Sequence, residues 1–386
     1  MINSGGALMQ NAIFHFSDTE KCAQPLTEET SGNKVCIDFE ILDLDWIRTQ
    51  EKTTYHGWPT LVNTGNDRLV AVCSGERTKH IDPYGKVVMY ESCDGGKNWS
   101  APRILADGPL DDRDAGIVVT PAGTWLVNYF TSLAFASMNP PDRTPPAWKE
   151  IEDRISVTMI KEELGFFMMR STDQGKTWSR KYPIGVNNVH GPIVLSDGTL
   201  FYCGKGFAQR IGQASAGDIF VSMRSTDDGM TWETISSYRN GDPGTYDLNK
   251  WHEFHSIQTG DGTILTQIRL ENDSTWQMES KDGGKTWQDF HYVCGGFPTH
   301  LLKLSDGRLL MSYGYRKENY GNRCRISSDN GKTWSEPLIL TGNSPSFDLG
   351  YPSTAELSDG TLVTLWYEYD PAVSAALLRY ARWKLK

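Results

Sequence analysis

The pattern Ser-x-Asp-x-Gly-x-x-Trp occurs five times in this chain: SCDGGKNW (Ser92 to Trp99), STDQGKTW (Ser171 to Trp178), STDDGMTW (Ser225 to Trp232), SKDGGKTW (Ser280 to Trp287) and SSDNGKTW (Ser327 to Trp334). An Asp followed two residues later by Gly is hairpin-turn chemistry: the carboxylate caps backbone N–H groups and the Gly accepts a positive φ. The closing Trp can then fold back and bury its ring between neighbouring sheets. Such boxes are structural turns. They constrain the fold and carry no chemistry of their own.

A second repeat runs between them, an apolar strand, a Ser/Gly-Asp-Gly-Thr/Arg turn and another apolar strand. It reads IVLSDGTLFYC, IQTGDGTILTQI, LLKLSDGRLLMSY and AELSDGTLVTLWY, with looser copies VVTPAGTWLVNY and LVNTGNDRLVAVC. First hairpins therefore begin near Pro59, Gly116, Pro192, Phe254, Pro298 and Pro352. Units of about 40–55 residues, each with several short strands, read as blades of an all-β, six-bladed β-propeller. The sixth unit has no box; instead the C-terminal ALLRYARWKL and the N-terminal CIDFEILDL read as strands that close the last blade and remove exposed edges. Residues 35–386 are expected to form one propeller, residues 1–34 an arm or disordered tail, and residues 131–164 a Pro-rich, charged insertion in the second blade.

The 386 residues include 13 Trp and 37 Gly, a mixture that suits short strands and tight turns. A net charge of −10 argues against nucleic acid or anionic membrane as the main partner, but leaves room for a local cationic pocket. The seven cysteines are scattered and never in CxxC spacing, so free thiols are expected rather than zinc or a disulfide framework. No apolar run approaches the roughly 20 residues of a membrane span. The opening MINSGGALMQNAIFHFSDTEKC lacks a basic stretch followed by an apolar one, so the chain as written reads as cytoplasmic, or periplasmic or secreted where a leader has been removed. The oligomeric state is left open, and no cofactor or metal is implied.

In a propeller the inner strands converge, so polar residues at their ends line one pocket. WHEFHSIQTGDGTILTQIRL puts Glu253 at the start of one inner strand and Arg269 at the end of its hairpin partner. LLKLSDGRLLMSYGYRKEN puts Arg316 at the equivalent place one unit later. LGYPSTAELSDGTLVTLWYEYD opens on Tyr351 and ends on Glu368. Two Arg, two Glu and one Tyr would meet.

With these residues in these places, the chain resembles the sialidase (neuraminidase) superfamily of glycoside hydrolases from about Val35 onward. The resemblance implies that Tyr351 is a nucleophile activated by Glu253, that Arg269 and Arg316 bind a sugar carboxylate, and that Glu368 steadies the first of these arginines. The chemistry is coherent. Bidentate guanidinium groups suit a carboxylate, and a phenol escapes the repulsion that a carboxylate nucleophile would meet beside an anionic anomeric centre. The family's first arginine lies in an Arg-Ile-Pro motif; here the stretch reads Tyr55-His56-Gly57-Trp58-Pro59, with Gly57 in its place. Arg77, Arg113 or His56 could reach in instead, Arg77 matching an arginine that the family often has at the end of its second strand. The resemblance implies an Asp acid/base, best matched by Asp82 in RTKHIDPYGK, with Asp114 in DDRDAG in reserve. The expected activity is that of a retaining exo-glycosidase releasing terminal α-linked sialic acid, or a related acidic sugar, from a glycan. Two readings stay open beside it. Histidines at 56, 80, 190, 252, 255 and 300 would suit a hydrolase or lyase acting on uronic acids with His56 or a neighbouring His as acid/base. A sugar-binding propeller without catalysis is the other.

Overall fold

The computed structural model describes residues 36–50, 54–138, 145–206, 219–242 and 247–386, so the expected arm at 1–34 lies outside the described residues. Strands dominate, in five hydrogen-bonded sheets. Sheet I has eight strands and consists of two antiparallel runs. Its opening run is Tyr55–Asn63, Leu69–Arg77, Lys86–Ser92 and Arg103–Ala106. Its closing run is Leu349–Glu356, Leu362–Asp370 and Ala375–Leu385, with the N-terminal strand Phe39–Trp46 paired antiparallel to the last. One parallel pair, Tyr55 with Ala376, joins the two runs. Six separate sheets were expected; the first and last are one, because Tyr55 follows the N-terminal strand closely enough to bond the strand that this one covers. Sheets II (Asp111 to Pro183), III (Val186 to Arg239), IV (Trp251 to Cys294) and V (Thr299 to Ile339) have four, five, four and four strands. The closure by both termini is as the sequence indicated.

Each box makes the same turn. Its Ser hydroxyl donates to the Asp carboxylate at 2.8 Å and accepts the N–H of the Gly. The boxes also lock neighbouring sheets. A Cβ on Gly229 of sheet III would lie 2.5 Å from Leu126 Cδ1 of sheet II, and Gly331 of sheet V faces Leu265 of sheet IV in the same way. Leu126 and Leu265 each follow the turn of the second repeat, so the two sequence repeats are the two halves of one contact. The box Trp rings are less uniform than expected: Trp99 and Trp287 are buried, whereas Trp178, Trp232 and Trp334 are half-exposed.

Inner strands lie side by side without a ladder, and side chains of one accept backbone N–H groups of the next. Asn188 Oδ1 accepts from Phe254 N–H at 3.1 Å, His255 Nδ1 from Leu301 N–H at 2.8 Å, His300 Nδ1 from Thr354 N–H at 3.4 Å, and Ser353 Oγ from Leu61 N–H at 2.9 Å. His190, His255 and His300 meet with ring centroids 4.6–5.3 Å apart. All three are buried, and burial pushes their imidazoles below the ordinary range. They are neutral struts of the core.

The insertion is helical, with Ala134–Met138, Pro146–Arg154 and Val157–Glu163. It packs on the loop after the second strand of the opening run: Lys79 Nζ sits 4.6 Å from the Trp148 ring centroid, and Tyr84 Oη donates to Ala147 O at 3.4 Å. No helix among the described residues is long and apolar enough to cross a membrane. Of the six described cysteines, four are buried.

The sheet-locking contact can be isolated by comparing two glycines of positive φ. Gly229→Ala meets Leu126, whereas Gly262→Ala, at φ +89°, meets nothing within 4 Å. Thermal or urea unfolding should show Gly229→Ala to be less stable than Gly262→Ala by about 1–3 kcal/mol.

Candidate active site

Four inner strands carry a β-bulge at their opening turn, and the bulges bring side chains into one cluster. Register breaks fall between Gly57 and Thr60, Arg113 and Gly116, Trp251 and Phe254, and Gly350 and Ser353. Three of the residues skipped, Trp58, Asp114 and Tyr351, have φ between 50° and 58°. Such backbone costs about 1–3 kcal/mol per residue and persists where the surroundings enforce it. The fourth bulge holds Glu253.

Tyr351, Glu253 and Arg269 form a closed triangle. Tyr351 Oη donates to Glu253 Oε1 at 2.5 Å. Arg269 Nη1 donates to both Glu253 oxygens, at 3.0 and 3.2 Å, and to Tyr351 Oη at 3.3 Å. The Tyr351 phenol is only 4% exposed, and burial, then Glu253, pushes its proton affinity well above the usual range while Arg269 and Arg316 pull it back. The resting phenol is therefore protonated, with its proton already directed at a carboxylate. Arg269 and Arg316 share an aromatic floor, their guanidinium carbons 4.2 and 5.1 Å from the Phe297 centroid. Arg316 is fixed by Leu349 O, at 2.7 and 3.0 Å, and by Tyr367 Oη at 3.2 Å.

The remaining residues sort by geometry. Arg77 and Arg113 lie over the Trp58 ring, at 5.2 and 4.7 Å, and both face Asp111, which Arg77 contacts directly and Arg113 approaches to 3.8 Å. Burial pushes Asp111 up to about 6 against the pull of these arginines. Asp114 presents a buried Oδ1 without a partner among the described residues. Burial raises its carboxyl, and among its neighbours Arg113 lowers it and Glu253 raises it. Asp82 differs from expectation. Both of its oxygens are used inside its own loop, Oδ2 by Thr78 N–H at 2.6 Å and the Thr78 hydroxyl, Oδ1 by Tyr84 N–H at 2.8 Å, and it is fully buried. It caps a turn. Glu368 also departs: it accepts from Trp366 Nε1 at 2.7 Å and pairs with Arg379 at 3.3 Å, so it steadies the last strand and neither site arginine. His56 is fully buried between Thr54 and Tyr90, at 2.8 and 3.1 Å, and a residue so enclosed cannot meet substrate as an acid/base.

Sequence reasoning passed over Trp58, Phe297, Tyr55, Tyr367 and Asp348. The first two carry a usable signal, an aromatic directly before the proline that opens a first hairpin (Trp58-Pro59, Phe297-Pro298).

Residues 148–364, more than half of the chain, match the family model described as BNR repeat-like domain. A protein named sialidase from Bacteroides fragilis (strain YCH46) is 29% identical over 212 residues, 46% of this chain and 38% of that protein, so the match spans well under half of the relative's length. Among solved structures, a protein of unknown function from Dyadobacter fermentans DSM 18053 aligns with TM-score 0.70 at 19% identity, covering 90% of this chain and 99% of that one. The NanB sialidase of Streptococcus pneumoniae aligns with TM-score 0.62 at 15% identity, covering 90% and 70%. At these identities the likeness is one of fold, the all-β propeller.

Asp112, beside this cluster, gives a stability test with a defined sign. It is fully buried, accepts Gly108 N–H at 2.7 Å, and is pushed up to about 7 by burial. The folded chain holds this proton more tightly than the unfolded chain does, so its contribution to stability is full below about pH 4 and is lost as pH rises through about 7. Asp112→Asn should therefore raise Tm relative to wild type at about pH 8 and leave it unchanged or lower at about pH 4, measured by calorimetry. Equal shifts at both would contradict the assignment.

Proposed function

We propose that this chain, which belongs to the BNR repeat-like domain family, is a retaining exo-glycosidase of sialidase type, removing a terminal α-linked sialic acid or a related acidic sugar. In this reading the two runs of sheet I are the first and last of six blades, and residues 35–386 are one catalytic domain. The observation that carries the proposal is the 2.5 Å bond from Tyr351 Oη to Glu253 with Arg269 on both partners. A buried phenol has no structural need of both a carboxylate and a guanidinium at its oxygen. A nucleophile does.

The steps follow from the charges. The sugar carboxylate sits on Arg269 and Arg316 above Phe297, and these cations offset the anion that approaches Tyr351. As Tyr351 Oη attacks the anomeric carbon, its proton passes to Glu253, and Arg269 stabilises the developing phenolate. Asp114, whose carboxyl burial raises, donates its proton to the leaving oxygen. It then takes a proton from the water that cleaves the tyrosyl–sugar bond, returning the sugar with retained configuration. Asp114 takes this role in place of Asp82 because its oxygen is free and its bulge aims it at the same cleft.

Release of 4-methylumbelliferone from its α-sialoside should be abolished in Tyr351→Phe and lowered in kcat by about a hundredfold or more in Glu253→Gln. Turnover that survives Tyr351→Phe would overturn the mechanism. Asp114→Asn should cost about a hundredfold on a sugar leaving group and far less on 4-methylumbelliferone, whose departure needs little protonation. Equal losses on both would remove Asp114 as the acid.

A further inference from the structure

Beside the catalytic triangle lies a hydrogen-bonded group that no step above uses. Tyr55 and Tyr367 both donate to Asp348, at 2.8 Å each, and Asp348 Oδ1 faces His80 Nδ1 at 3.4 Å. Burial alone would raise Asp348, but His80, Tyr55 and Tyr367 outweigh it and hold the carboxyl below its usual range, so it is anionic. Gly57 makes room for the group: a Cβ there would lie 3.1 Å from the Tyr55 ring and 3.6 Å from the Tyr367 ring. The two tyrosines thus fill the space that a longer side chain at position 57 would occupy, and their hydroxyls orient Asp348.

The geometry then fixes His80. Tyr55 spends its proton on Asp348 and turns its oxygen lone pair toward His80 Nδ1 at 2.9 Å. Nδ1 is thereby engaged, and Nε2 is the ring nitrogen left to meet a ligand hydroxyl, which can either donate or accept. The ring stands edge-on to Trp58, centroids 4.8 Å apart at 87°, and Trp58 in turn touches Tyr351 at 6.3 Å. His80 also lies close enough to Asp114 to lower its carboxyl. Its loop is held at three points, by the Asp82 cap, by Lys79 on Trp148 and by Tyr84 on Ala147. The side chain is nonetheless 46% exposed. Next to Asp348, Phe347 is 63% exposed, and Tyr84 on the His80 loop is 45% exposed. An oriented imidazole near Asp114, with exposed aromatic rings on its own loop and next to Asp348, is the chemistry that receives a sugar: a hydroxyl on the outer ring nitrogen, the apolar ring face on an aromatic.

We infer that His80, oriented by Tyr55 and Asp348, is a specificity-determining residue that binds a hydroxyl of the leaving-group sugar through Nε2, so that the enzyme favours acidic sugars linked to another sugar. The inference rests on the glycosidase reading and adds a leaving-group site to it. His80 is a binding residue and takes no part in proton transfer to the reacting atoms.

The test compares two substrates with one acidic sugar, sialyllactose and the 4-methylumbelliferyl α-sialoside, whose leaving group offers no hydroxyl besides the one it was linked through. In the chain of residues 1–386, His80→Ala should lower kcat/KM for sialyllactose by about tenfold, mainly through KM, and leave the aryl sialoside within about twofold of wild type. The aryl activity also reports that the variant is folded. His80→Gln, which keeps an acceptor, should recover part of the loss. Equal losses on both substrates, or no loss on either, would overturn the inference and leave the glycosidase reading intact. A wild type that turns over neither substrate would overturn both.

Discussion

The inner edge of each sheet presents backbone N–H groups that no strand pairs, and the architecture depends on how these are satisfied. A buried unpaired N–H costs about as much as a lost hydrogen bond and more. Here the partner is a side chain at the neighbouring inner strand: Asn188 for Phe254, His255 for Leu301, His300 for Thr354, Ser353 for Leu61. Each bond fixes the height of one inner strand against the next. This accounts for two of the core histidines, His255 and His300: a neutral imidazole reaches an N–H that a hydroxyl would miss. Because the heights are fixed, a bulge at the same place in four strands puts Trp58, Asp114, Glu253 and Tyr351 at one level.

The site built on that frame is a balance of charge more than a pocket of particular shape. Three carboxyl groups face it, Glu253, Asp114 and Asp348, with the cations Arg269, Arg316 and Arg113. Every one of these cations is also committed to the protein, to Glu253, to Leu349 O and to the Trp58 face respectively. In the proposed reading a sugar carboxylate would share its arginines with the residues that position them; those residues keep the guanidinium groups from drifting and make their geometry a property of the fold. The phenol profits most, because Arg269 touches its oxygen before any substrate arrives.

Much of this was legible in the sequence. Turn chemistry repeated at a near-constant interval announces blades, and matching offsets from those turns place Glu253, Arg269, Arg316 and Tyr351 together; the structure brings these four side chains into one cluster. What failed did so for physical reasons. Asp82 and Glu368 were read by position, yet a carboxylate's role is set by what its oxygens already hold, and a Thr hydroxyl four residues away or an indole N–H two residues away leaves no mark in the spacing of the repeats. His56 alternates onto the core face of its strand. Asp114 was the weaker candidate because a bulge, invisible to a two-residue period, turns it into the cleft. The Tyr55–Asp348–His80 group joins residues nearly 300 positions apart and has no local signature.

The central claim is that Tyr351 becomes covalently bonded to the sugar. A fluorinated sialosyl fluoride, whose electron-poor ring slows hydrolysis of the intermediate, allows that bond to be caught and located by mass spectrometry of the digested protein. The account predicts one sugar per chain, on the peptide containing Tyr351, and none in Tyr351→Phe. A sugar attached to Glu253 or to another residue, or rapid turnover with no adduct at all, would contradict it.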